Sequence, residues 1–194
     1  MSQDRRFPPE KLAKLDNAER HERMPPSAIV ELVAGFEAEP ILDIGVGTGY
    51  IALPLATRLP AARIIGLDVE PRMLEALADR AEAAHQPGAV EPLLAPHDQI
   101  PLPDRTVGVA LMVALYHELE DRVAYLQQVQ RVLKEGGRLV VCDWDPEAEE
   151  GFGPPRDHRI PHSVLTAELT DSGFTNITTH PAYKHLYLVS ATRP

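Results

Sequence analysis

Cysteine, basic charge and long apolar runs are all scarce in this chain, and each shortage narrows what it can be. A single cysteine, Cys142, among 194 residues excludes an internal disulfide. Lying in the apolar run 139–142, it reads as a buried, inert thiol suited to a reducing cytoplasm. Lys and Arg number 19 against 29 Asp and Glu, a net charge of −10. That balance argues against nucleic acid, whose affinity comes largely from basic residues, and favours a small-molecule partner. The longest apolar stretch, 107–115, falls far short of the roughly 20 residues of a membrane-spanning helix. The opening MSQDRRFPPEK has no apolar segment of the kind a secretory signal carries. The expectation is a cytoplasmic protein with no membrane span. No internal repeat and no low-complexity tract is present, and nothing in the composition speaks to oligomeric state.

What is there is one core's worth of apolar residues, 44% of the chain, enough for a single domain and too few for two. Residues 1–40 are charged and punctuated by proline, and predict a helical cap with helices near 9–22 and 26–36. From 41 to 194 the pattern becomes short apolar runs alternating with amphipathic segments, the signature of repeated βα units on a parallel sheet. Strands are predicted at 41–44, 63–67, 90–94, 106–114 and 137–143, with crossover helices at 50–59, 71–84 and 121–133. Pro71 suits a first helical position, and Gly136-Gly137 supplies positive φ after the last turn. Pro54 predicts a kink or a late start in the first crossover helix. An irregular stretch over 144–161 precedes a helix at 163–172. The final runs, 174–179 and 183–190, are separated by three residues, too few for a parallel crossover, so the pair is antiparallel.

The chemistry is concentrated after the first strand. Gly45, Gly47 and Gly49 follow the apolar run 41–44 and precede a helix, so backbone can approach a ligand closely while the helix N-terminus favours an anionic group. Asp68 lies 19 residues after Gly49. About ten helical residues rising ~1.5 Å each and five strand residues returning ~3.3 Å each bring it to the same sheet edge, where a carboxylate can accept from both hydroxyls of a ribose. Asp43, two residues before the first glycine, would attract a cationic amino group and repel a pyrophosphate. A dinucleotide fingerprint also wants its third glycine at position 50, which is Tyr50.

The stretch ILDIGVGTGY, 41–50, resembles the first motif of class I S-adenosylmethionine-dependent methyltransferases, and IIGLDVEPRML, 64–74, resembles their second. His97-Asp98 with 100–103, the segment 116–121 and the unit 126–141 resemble the later motifs, so that the likeness covers roughly 27–190. Gly153-Pro154-Pro155 with His158-Arg159-Ile160 resembles the small "type 11" subgroup akin to quinone-biosynthesis methyltransferases. The resemblance implies a Rossmann-like, doubly wound α/β sheet of order 3-2-1-4-5-7-6, with strand 7 antiparallel and helices on both faces. It implies S-adenosyl-L-methionine as cofactor and S-adenosyl-L-homocysteine as product. In this reading Gly45 and Gly47 pass under the methionine part, Gly49 and Tyr50 also belong to the cofactor site, Asp43 orients the amino group and Asp68 holds the ribose. Asp98 accepts from the adenine amino group, with His97, Ile100, Val69 and Met73 around the ring. Asp98 also reads as a local turn residue, and Met73 as plain core.

Methyl transfer from a sulfonium needs alignment and exclusion of water more than a base. If a base exists it is His117, which follows the fourth strand at the ligand-binding edge; the residue reads first as a helix-capping or ribose-side structural histidine. Tyr116, Asp143 and Trp144 are the candidates for an acceptor pocket, and Trp144 could instead cover the core. His158 and His162 with His117 and Asp143 lack any close ligand spacing, so no metal is expected. The segment 17–26 reads as a charged helix end or as a lid over the acceptor. The tetrad 115–118 lacks the Asn/Asp-Pro-Pro-aromatic sequence of nucleic-acid and glutamine nitrogen methyltransferases, and one cysteine is too few for an arsenic substrate. Two alternatives stay open: a nicotinamide-dependent oxidoreductase, and a non-catalytic adenosyl-cofactor-binding module.

Overall fold

Strands whose residues are buried on both sides need cover on both faces, and β1 (Ile41–Ile44) and β2 (Ile64–Asp68) are buried along their whole length. In the computed structural model, which describes residues 18–148 and 153–194, that cover comes from helices on either side of one seven-stranded sheet. The other strands are β3 (Glu91–Leu94), β4 (Val107–Val113), β5 (Leu133–Trp144), β6 (Thr175–His180) and β7 (Leu186–Thr192), in the order β3-β2-β1-β4-β5-β7-β6. β1 runs parallel to β2 and β4, whereas β7 is antiparallel to both β5 and β6. The expected topology is the observed one.

Alternation along the strands divides the core in two. Leu42, Ile44, Met112 and Val141 face α5 (Arg122–Val132) and α6 (His162–Asp171), meeting Leu126, Val129, Leu165 and Leu169. Ile41, Leu111, Val140 and Cys142 face the other way, against α2 (Ser27–Val33), α3 (Ala52–Arg58) and α4 (Pro71–Ala83). Asp43 shares the second side with Ile41, and Asp143 shares the first with Val141, because side chains two apart point the same way. α1 (Ala18–Arg23) joins the same side through Met24, which with Ile29 and Val33 is fully buried beside Tyr50. The predicted helix at 9–22 lies largely outside the described residues, as does part of the irregular stretch 144–161.

Three local details depart from or refine the sequence pattern. α3 begins at Ala52, so Pro54 is its third residue, in the first turn, where an N–H has no partner within the helix and its loss costs nothing. β5 begins four residues before the expected 137, directly from α5, which ends at Val132. The β4–β5 register jumps from Val107↔Leu133 to Val109↔Arg138. The extra residues bulge outward with Gly136 at φ 73, tied down by Gly136 N–H donating to Arg193 O at 3.0 Å and Arg193 N–H to Gly137 O at 2.9 Å. Gly136 thus serves a bulge and not a helix end. β7 starts at Leu186, three residues later than the apolar pattern at Tyr183 indicates.

Candidate active site at the strand ends

The loop leaving β1 is left-handed at each glycine: φ is 70 at Gly45, 52 at Gly47 and 83 at Gly49. Side chains are excluded there by contact as well as by dihedral. A Cβ on Gly49 would sit 2.5 Å from Leu77 Cδ1, and one on Gly45 would sit 3.0 Å from Leu115 Cδ1. The N–H groups of Gly45 and Val46 both donate to Leu67 O, at 2.8 and 3.0 Å, which pins the loop to the end of β2. Asp68, the last residue of β2, completes the tie: its carboxylate accepts from Gly47 N–H at 2.8 Å and Glu70 N–H at 3.0 Å. A carboxylate offers about four acceptor positions, so Asp68 keeps capacity for hydroxyl donors.

Asp43 sits in a harder environment. It is buried, and burial together with the nearby Asp68 charge pushes its carboxyl up to about 7, while the Arg20 charge and the Ala52 N–H pull it back. Burial also raises Asp68, against the backbone donors that lower it. Tyr50 closes this corner: its hydroxyl donates to Met24 O at 2.8 Å, and the Arg20 guanidinium lies 4.2 Å from its ring centroid. Two buried carboxylates at one loop are costly unless a cation joins them. A ligand with a cationic amino group and a diol fits this donor and acceptor set, and glycines leave room for it. The two carboxylates would repel a pyrophosphate.

Beyond Asp68 the predicted adenine-side residues divide. Val69 is exposed, Met73 is buried on α4, His97 is half-buried, Asp98 is exposed and Ile100 is buried. Val69 (38%) and Leu94 (54%) are the exposed large hydrophobic residues among those described. Both lie at the ends of the adjacent strands β2 and β3, where Leu94 pairs with Asp68, so an apolar surface flanks the carboxylate. Arg131, on α5, holds the loop below: Nη2 donates to Ile100 O at 2.8 Å and Nη1 to Leu102 O at 2.8 Å. Sequence reasoning missed this residue, since an arginine in a helix's last turn carries no local sign of a distant loop.

On the other side of the sheet, His117 and Asp143 meet. The Nδ1 of His117 lies 2.8 Å from Asp143 Oδ1, and its backbone N–H donates to Asp143 Oδ2 at 3.1 Å. Trp144 N–H adds a third bond at 2.7 Å. With the Asp143 carboxyl as acceptor, Nδ1 carries the proton of this contact and Nε2 the lone pair; Nε2 lies 3.8 Å from Glu118 Oε1. Both residues are buried. Tyr116 does not join them. Its ring is in the core, and its hydroxyl bonds Glu168 of α6, which also takes Arg122 Nε and Nη2 at 2.8 and 2.7 Å. Burial and the Glu168 carboxylate push the Tyr116 hydroxyl well above its usual range. Trp144 is buried on the opposite face, where Gly153 is so close that a Cβ would sit 2.7 Å from the ring. Arg159, buried nearby, ties the loop with Nε to Pro154 O and Nη1 to Asp145 O, both 3.1 Å. A further residue that the sequence did not indicate is Tyr187, which pairs with Asp143 across β5 and β7 and whose buried hydroxyl has no hydrogen-bond partner among the described residues.

Comparison with known proteins agrees with this geometry. The family model described as "Methyltransferase domain" matches residues 41–137, half of the chain. Among curated relatives, a ubiquinone/menaquinone biosynthesis C-methyltransferase of Geobacter sp. is 31% identical over 105 residues, 54% of this chain and 45% of its own. A demethylmenaquinone methyltransferase of Thermus thermophilus is 35% identical over 113 residues, 58% of this chain and 50% of its own. The chain thus spans about half the length of the curated relatives it matches. A solved S-adenosylmethionine-dependent methyltransferase from Aquifex aeolicus superimposes with a TM-score of 0.88 at 26% identity, covering 97% of this chain and all of the other. Among the described residues, no helix is long and apolar enough to cross a membrane.

Proposed function

We propose that this chain, which belongs to the methyltransferase domain family, transfers a methyl group from S-adenosyl-L-methionine to a small-molecule acceptor. The observation that carries the reading is the corner where Asp43, Asp68 and three left-handed glycines converge at the ends of β1 and β2. The cofactor would supply a methyl group already activated on a sulfonium. Asp68 would hold the ribose hydroxyls and Asp43 the amino group. Gly45, Gly47, Gly49 and Tyr50 would lie along the methionine part, and Val69, Met73, His97, Asp98 and Ile100 would surround the adenine.

On the acceptor side, His117 is the proposed general base. Its contact with Asp143 orients the ring, and that carboxylate with Glu118 would stabilise the imidazolium formed as a proton arrives. Asp143 and Trp144 would line the acceptor pocket, with Tyr116 supporting it from behind through Glu168. The relatives named for quinone biosynthesis make hydroxylated aromatic rings the first acceptors to try. The net charge of −10 supports a small acceptor over nucleic acid, and one buried thiol supports a cytoplasmic setting. Residues 1–40 are proposed as a cap on the domain formed by 41–194.

A homocysteine-release screen across phenols, quinols, amines and thiols tests the catalytic part. The expected outcome is turnover with at least one acceptor that forms S-adenosyl-L-homocysteine in step with methylated product. Tight cofactor binding with no turnover on any class would instead favour a non-catalytic module.

A further inference from the structure

The proposed cofactor site has one charge unaccounted for. Its methionine end is a zwitterion, an ammonium and a carboxylate on one carbon, yet the strand ends themselves offer only the carboxylates Asp43 and Asp68. They suit the ammonium and repel the carboxylate. A cation is required within a few ångströms of Asp43, and the side of the sheet that Asp43 faces provides one from outside the glycine motifs.

Arg20 lies on α1, its guanidinium 4.2 Å from the ring centroid of Tyr50, the residue directly after Gly49. Its charge is felt at Asp43 on β1 and again at Cys142 on β5. α1 is held there by several independent contacts. Tyr50 donates to Met24 O at 2.8 Å, and Met24 is fully buried with its sulfur 3.9 Å from Cys142 Sγ. The His21 ring is 4.9 Å from that of Tyr50. Arg23 pairs with Glu19 at 3.0 Å and reaches His185, directly before β7, at 3.2 Å. Arg80 also touches the loop, but its Nη1 donates to Thr48 O and Oγ1 at 2.8 and 2.9 Å, where it holds backbone.

We propose that Arg20 binds the carboxylate of the cofactor's amino-acid end, opposite Asp43 on its ammonium, so that α1 reads the amino acid while the strand ends read the nucleoside. This rests on the cofactor reading above. A guanidinium is the right partner because its planar fork meets a carboxylate with two parallel bonds, and an aromatic platform holds it in place.

Two ligands separate the ends of the molecule: S-adenosyl-L-homocysteine, which has the amino acid, and 5′-methylthioadenosine, which lacks it. Calorimetric titration of the full chain should show Arg20→Gln weakening the first on the order of 10- to 100-fold and the second less than about twofold. Arg20→Lys should recover part of the loss, and an unchanged thermal midpoint without ligand would establish that α1 still packs. Equal weakening of both ligands would overturn the proposal, since Arg20 would then only shape the site. So would an unchanged affinity for S-adenosyl-L-homocysteine. If the wild-type protein binds neither ligand, the cofactor reading itself fails and the Arg20 role falls with it.

Discussion

Asp43 and Asp143 each stand next to last in a strand of the same sheet and are both buried, yet their neighbours are opposite in kind. Asp143 accepts three bonds from its own protein, two from His117 and one from Trp144. Asp43 faces a second carboxylate, and burial with that like charge holds its carboxyl near 7. A carboxylate satisfied from within is suited to position another group. One left short of positive charge is suited to receive it from a ligand. The contrast supports the roles proposed above, orientation of His117 at the β4–β5 end and cofactor binding at the β1–β2 end.

The comparison breaks first at His117. His117→Ala should slow transfer to any methylated acceptor by about 100- to 1,000-fold and leave S-adenosyl-L-homocysteine affinity within about twofold; a calorimetric loss matching the kinetic one would place His117 in the cofactor site. Asp68→Ala should have the converse profile, weakening S-adenosyl-L-homocysteine on the order of 100-fold through lost ribose contacts and a loosened Gly47.

Asp43→Asn should be milder for binding, about tenfold, but it has a second signature. The folded carboxyl at about 7 lies above its ordinary 3.8, so the folded state holds more protons than the unfolded between those values. Its stability is fully present below pH ~4 and is lost as pH rises to ~7, by roughly 4 kcal/mol. Asp43→Asn should therefore raise the thermal midpoint of the ligand-free protein at pH 8 and flatten that slope. A lower midpoint at pH 8 would mean that the buried charge is satisfied already. The smallest effect is expected at Tyr116→Phe. Loss of the bond to Glu168 should cost about 1 kcal/mol in denaturant unfolding and leave cofactor affinity unchanged.

How far these ends could be read in advance follows from chain distance. The β1–β2 end is local: three glycines, an aspartate two residues ahead of them and another one strand later lie within 43–68, each a direct mark of a turn or a strand end. The strands and helices were legible for the same reason, since each βα unit carries its own periodicity, whereas the sheet order was implied by the family resemblance. The β4–β5 end is assembled by partners 26 residues apart in His117 and Asp143, and by Tyr187 on a strand added from the far end of the chain. Tyr116 shows the limit most plainly. It sits beside His117 in sequence and reads as a pocket residue, but a 3-10 turn over Tyr116–Glu118 sends its hydroxyl to α6. The β5 bulge was hidden similarly, because Gly136 marks positive φ without saying whether a helix end or a bulge requires it. Arg20 escaped notice because its charge matters only once α1 is folded over Tyr50.

The central claim is that the β1–β2 corner takes an adenosyl ligand with a cationic amino acid in preference to a dinucleotide. Isothermal titration of the wild-type protein with S-adenosyl-L-methionine and with NAD tests it most directly. The account predicts saturable one-site binding of S-adenosyl-L-methionine, lost in Asp68→Ala, and no measurable heat with NAD; binding of NAD without S-adenosyl-L-methionine would contradict it.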